Sequence, residues 1–89
     1  MYIHLGQDTV VRKEDVVGIF DLDTATISKH TRDYLTRAEK AGEVVTITAE
    51  LPKSFIVCRD SRQKSGRVVY ISQISSATLL KRAAFLTNG

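Results

Sequence analysis

An 89-residue chain with 43% hydrophobic and 26% charged residues has room for one compact core and is too apolar for a disordered segment. Thirteen Lys and Arg against ten Asp and Glu leave a net charge of +3, which permits an anionic partner without requiring one, so the placement of the cations has to decide. One cysteine excludes an internal disulfide and a cysteine-rich metal centre, and no apolar run approaches the ~20 residues of a membrane span or the pattern of a signal peptide, so the expected compartment is the cytoplasm.

The first segment reads as short strands. Tyr2 to Leu5, Thr9 to Arg12 and Asp15 to Asp21 are rich in β-branched and aromatic residues and are separated by Gly6-Gln7-Asp8 and Lys13-Glu14. The period then changes: Ile27, Thr31, Tyr34, Leu35, Ala38 and Ala41 recur every three or four residues, as on one face of an amphipathic helix that Gly42 ends. Asp23 or Thr24 is placed to cap its start, and on the polar face Asp33 precedes Arg37 by four, a favourable intrahelical spacing.

Glu43 to Ala49 returns to strand, with Val45 and Ile47 alternating against Thr46 and Thr48. Leu51-Pro52 is a turn, because proline lacks the N–H that a ladder needs. Ser54 to Arg59, nearly all apolar, is expected to be a central strand buried on both faces and to form a hairpin with Arg67 to Gln73 across the polar stretch Asp60 to Gly66. Ser75 or Ser76 can cap a last helix to about Leu86, with Leu79, Leu80, Ala83 and Leu86 on its apolar side. The order βββαβββα predicts a single α+β domain over residues 1–86, a largely antiparallel sheet with two helices packed on it, and a frayed end at Thr87 to Gly89. A domain this small often covers leftover apolar surface by associating with copies of itself.

No enzyme signature is present, and the chain is read as a non-enzyme without cofactor, metal or small-molecule substrate. His4 and His30 each lack a second His or Cys at metal-ligand spacing, and the five glycines form no phosphate cradle. Ser75 and Ser76 stand where a cap belongs and lack the glycine-flanked nucleophile pattern. Asp21 and Asp23, two apart, are explained by entry into the first helix as readily as by acid–base chemistry. Cys58, inside an apolar run, reads as a buried, inert thiol, and the six aromatic residues fall where a core would use them.

The cations are more informative. The run RDSRQKSGR carries Arg59, Arg62, Lys64 and Arg67 against the one acid Asp60, on what should be a protruding loop able to reach a phosphate backbone. The competing account is a solvated hairpin whose charges block edge pairing. Arg12 and Lys13 form a second basic pair, followed at once by Glu14 and Asp15, and Lys53 is a third position. The two helices are separated by three strands, which does not fit a helix-turn-helix reader, so loops and oligomer geometry would carry any DNA contact.

The opening MYIHLG, the strand VVGIFD and the run VVYISQISSATLLKR resemble the RemA/RemB family of bacterial extracellular matrix regulatory proteins, and look closer to its RemB members. The resemblance spans Met1 to about Phe85. It implies a DNA-binding transcriptional regulator of matrix (biofilm) genes whose subunits close into a ring, with phosphate contacts repeated along its surface. It also implies an arginine just before the third strand and an arginine pair before the central one. Here those regions read Arg12-Lys13-Glu14-Asp15 and Leu51-Pro52-Lys53, and the Asp60 to Gly66 loop looks longer and more basic than a tight turn. The expected nucleic-acid contacts are therefore Arg12, Lys13, Lys53, Arg62, Lys64 and Arg67, acting on double-stranded DNA from a homo-oligomer. The alternative expectation is a self-assembling interaction module that modulates a related regulator and never touches DNA.

Overall fold

The computed structural model describes residues 1–22 and 28–88. Among these, six strands and two helices follow in the expected α+β order: β1 (Tyr2–Gly6), β2 (Thr9–Arg12), β3 (Val16–Asp21), α1 (Lys29–Lys40), β4 (Val44–Thr46), β5 (Ser54–Arg59), β6 (Arg67–Ser72) and α2 (Ser76–Asn88). Lys13–Asp15 forms a single 3₁₀ turn that starts β3 one residue later than the sequence suggests. The strands divide into two sheets rather than one. β1 and β2 form an antiparallel hairpin, and the other four run in the order β3-β5-β6-β4. All pairings in the larger sheet are antiparallel except β4 with β6, because the chain leaving β4 passes the end of β6 to reach the central position of β5.

β5 is the buried centre that its composition predicts. Successive side chains of a strand point to opposite faces, so Ile56 and Cys58 enter one core and Phe55 and Val57 the other. The first core lies beneath the β1–β2 hairpin and α2, with Ile3, Leu5, Val11, Val68 and Leu79. The second lies beneath α1, where Ala38, Tyr34 and Leu35 meet Val69 and Ile71. Two serines tie the first layer down: the Ser72 hydroxyl donates to the Leu5 carbonyl at 2.6 Å and accepts from the Ile74 N–H at 3.0 Å, while the Ser54 hydroxyl donates to the Ile74 carbonyl at 2.7 Å.

Element ends have local causes. The Ser28 hydroxyl accepts from the Thr31 N–H and caps α1; the positions expected to cap it, Asp23 and Thr24, lie outside the described residues, as does Ile27. At the other end the Gly42 N–H donates to the Glu39 carbonyl and the Glu43 N–H to the Ala38 carbonyl, a pairing that needs a left-handed residue between them, which Gly42 supplies at φ 73°. Ser75 caps α2, as expected, by accepting from the Thr78 N–H at 3.2 Å.

Several expectations are corrected. The strand expected over Glu43 to Ala49 keeps only Val44–Thr46, and Val45 is exposed whereas Ile47 packs on the first core. The reason is its edge position: after the Ile47 N–H bonds the Ile71 carbonyl, Thr48 bonds the Gln73 side chain and turns the chain away from the ladder. Leu80 is exposed on α2, because Leu79 beside it already faces the core and consecutive helical residues point about 100° apart. α2 itself runs on to Asn88. Tyr2 and Phe20, expected in the core, are 64% and 44% exposed, since Tyr2 opens an uncovered hairpin and Phe20 lies on the sheet's edge strand. Asp33 and Arg37 form no ion pair, consistent with the small gain available to exposed charges in water. Among the described residues no helix is long and apolar enough to cross a membrane.

Candidate nucleic-acid interface

Residues of the β1–β2 and β5–β6 hairpins line a cleft of about 590 Å³. Its floor is apolar, made by Val11, Cys58 and Val68, with Tyr2 and Tyr70 on its walls. Its rim is charged: Arg12 comes from the end of β2, Arg59 from the end of β5 and Arg62 from the following turn, with Asp15 and Asp60 among them. The fold thus joins two cations from the expected set, Arg12 and Arg62, that stand fifty positions apart in the chain.

Each arginine is held in place. Arg12 donates through Nε and Nη2 to Glu14 Oε2 at 3.2 and 3.1 Å. That hydrogen bond raises the guanidinium's pKa and lowers that of the carboxyl. Arg62 makes a two-pronged bond to Asp60, Nε to Oδ1 and Nη2 to Oδ2, both at 3.0 Å, while its backbone N–H donates to Oδ1 at 2.9 Å. Asp60 is therefore held ionised to lower pH than an ordinary aspartate. Arg59 donates through Nη2 to the Glu14 backbone carbonyl. Fixed forks of this kind present the remaining N–H groups in a set direction, as planar recognition of phosphate oxygens requires.

The loop carrying Arg62 is not a loose protrusion. The Asp60 N–H donates to the Gly66 carbonyl, that of Gln63 to Asp60, and that of Gly66 to Gln63, so the segment closes as two successive turns. Lys64 sits exposed in the second of them. Lys13, half-buried in the 3₁₀ turn beside Arg12, fixes the hairpin through its N–H to the Met1 carbonyl.

The side chains of the other two expected cations lie outside the cleft. Arg67 begins β6 as the cross-strand partner of Arg59, and its side chain borders a groove on the α1 side of the sheet. Lys53 precedes β5, at the opposite end of that strand from Arg59 and about 20 Å away along it. Its backbone is occupied in joining the layers, the N–H donating to Ser72 and the carbonyl accepting from Leu22. Arg59 is the cleft residue that the sequence assigns only to the strand end; its presence in the basic run is the one signal that points to it. Cys58 is buried as expected, and burial pushes its thiol up to about 11, which suits a packing role.

A family model for RemA-like proteins, described as extracellular matrix regulatory protein A-like, matches residues 2–83. Extracellular matrix regulatory protein B of Bacillus subtilis (strain 168) is 40% identical over 86 residues, spanning 97% of this chain and 94% of that protein. The matched length contains every strand and both serine ties described above, so the similarity concerns the whole fold and not one motif. The chain belongs to the RemA-like family of extracellular matrix regulatory proteins and, within it, lies closer to protein B.

Proposed function

We propose that this matrix regulator acts as a DNA-binding transcriptional regulator of extracellular matrix (biofilm) genes, gripping phosphates from a homo-oligomeric, ring-like assembly. The observation that carries the reading is the convergence of Arg12, Arg59 and Arg62 on one rim, with Lys13 and Lys64 one and two residues further along the chain from Arg12 and Arg62. One such rim is a weak site. Identical rims repeated around a closed assembly raise the effective concentration of each contact for a continuous polyanion, so modest sites add to a useful grip. Contacts of this kind are to the backbone and tolerate sequence, which suits a fold whose two described helices are separated by three strands.

A gel-shift titration of duplex DNA at low and at physiological salt tests this. Affinity is expected to fall steeply with salt, and Arg12→Ala with Arg62→Ala to flatten the log–log slope by roughly 0.9 for each phosphate that the variant no longer neutralises. Absence of any shift at low salt would sink the reading.

A second reading, a self-assembling module that modulates a related regulator without touching DNA, is favoured by one specific observation. Arg12 and Arg62 each already hold a carboxylate, and Glu14, Asp15 and Asp60 balance the three arginines charge for charge. Reversing Arg12, Arg62 and Lys64 to glutamate separates the two: matrix gene expression in cells would survive only if the rim plays no part in DNA contact.

A further inference from the structure

The α1 side of the sheet carries an apolar groove of about 360 Å³ between the helix and edge strand β3, walled by Val17, Phe20, Tyr34, Phe55 and Val57 and bordered by Arg67. It is built, not merely uncovered. A bulge between Val16 and Gly18 breaks the register with β5, and Val17 at the bulge is 63% exposed. Phe20 stacks on Phe55 with ring centroids 4.9 Å apart and 18° between planes. A Cβ on Gly18 would come within 2.7 Å of the Phe20 ring, so the glycine is what leaves room for the stack. Among the described residues the Arg67 guanidinium has no hydrogen-bond or ion-pair partner. Such a groove calls for an apolar side chain next to a carboxylate.

The chain carries that ligand itself. Leu51, at 84%, is the most exposed large apolar side chain among the described residues, and Glu50 stands directly before it. The segment is fixed on both sides. Thr48 Oγ1 donates to Gln73 Oε1 and accepts the Glu50 N–H at 3.0 Å, Pro52 restricts the backbone, and the Lys53 N–H donates to the Ser72 carbonyl at 2.8 Å. A leucine held rigidly in water gains on being covered and loses little further freedom when it is. The segment crosses from edge strand β4 past the Ser72 end of β6 to β5, whereas the groove lies between β3 and α1, and neither Glu50 nor Leu51 lines it.

We propose that Glu50-Leu51 of one copy seats in the β3–α1 groove of the next, Leu51 against Val17 and Phe20 and Glu50 on Arg67. Knob and groove are different surfaces of one molecule, so the contact is head-to-tail, leaves a free knob and a free groove after each addition, and generates a ring where the rotation closes. The inference rests on the self-assembly half of the proposed function and names the surfaces that carry it.

The test is complementation between Leu51→Asp and Val17→Asp, read by light scattering with circular dichroism as the check on folding. Each variant alone is expected to run at the 9.9 kDa of the single chain. Mixed in equal amounts they are expected to form a particle of twice that mass and nothing larger, because only one intact knob and one intact groove remain per pair. In parallel, Glu50→Arg is expected to reduce assembly and the double variant Glu50→Arg with Arg67→Glu to restore it. Wild-type mass in both aspartate variants, or a mixture that stays monomeric, overturns the assignment of the groove while leaving self-assembly standing. A monomeric wild-type chain overturns both the assignment and the assembly on which the proposed function depends.

Discussion

Cys58 illustrates how a single side chain couples the cleft to stability. Burial raises its thiol from 9.0 to about 11. An acid with a raised folded-state pKa loses its proton first in the unfolded chain, so stability is unaffected below about pH 9 and declines as pH climbs towards 11. Urea unfolding on either side of pH 9 should show this loss, and Cys58→Ala should remove the thiol's share of it. Tyr70, whose hydroxyl is also raised by burial, leaves a residual slope of the same sign. Arg12 and Arg62 are legible as exposed cations from the sequence, but the orienting role of their carboxylate neighbours is not. Asp60 two residues before Arg62, and Glu14 two residues after Arg12, turn each cation into an oriented fork.

At the scale of elements, the joint between β6, β1 and the entry to α2 depends on one hydroxyl. Ser72 is fully buried, and its oxygen serves both the Leu5 carbonyl and the Ile74 N–H. Ser72→Ala strands both backbone groups away from water, and chemical denaturation should show a destabilisation of about 1–3 kcal/mol. Strong periodicity makes α1, α2 and the β5–β6 hairpin readable in advance, since an amphipathic face or a continuous apolar run has few other ways to be buried. β4 is overestimated because alternation alone does not report where an edge strand leaves its ladder. Phe20 and Tyr2 are misplaced for a related reason: an aromatic residue in a strand pattern does not say whether a second layer lies over it.

For the whole molecule, assembly and nucleic-acid binding are linked through multivalency. If the rim of Arg12, Arg59 and Arg62 grips DNA only as a repeated array, the monomeric Leu51→Asp variant should bind a long duplex on the order of 10²–10⁴ more weakly while its own rim is intact. Fluorescence anisotropy with long and short duplexes checks this, and the difference should shrink on a duplex too short to span two subunits. An unchanged affinity would show that one rim suffices and that the array plays no part.

Element order, the burial of Ser54 to Cys58 on both faces, a serine cap at Ser75 or Ser76 and the family are legible in the chain alone, because each is written in local spacing or in a contiguous run of residues. Which strands pair into which of the two sheets, the shared cleft of Arg12 and Arg62 with the Lys53 and Arg67 side chains outside its lining, and the groove between β3 and α1 are settled only once the chain is folded. The physical reason is that pairing partners and layer contacts join residues distant along the chain. A periodic pattern tells which side chains seek cover and leaves open which other segment supplies it.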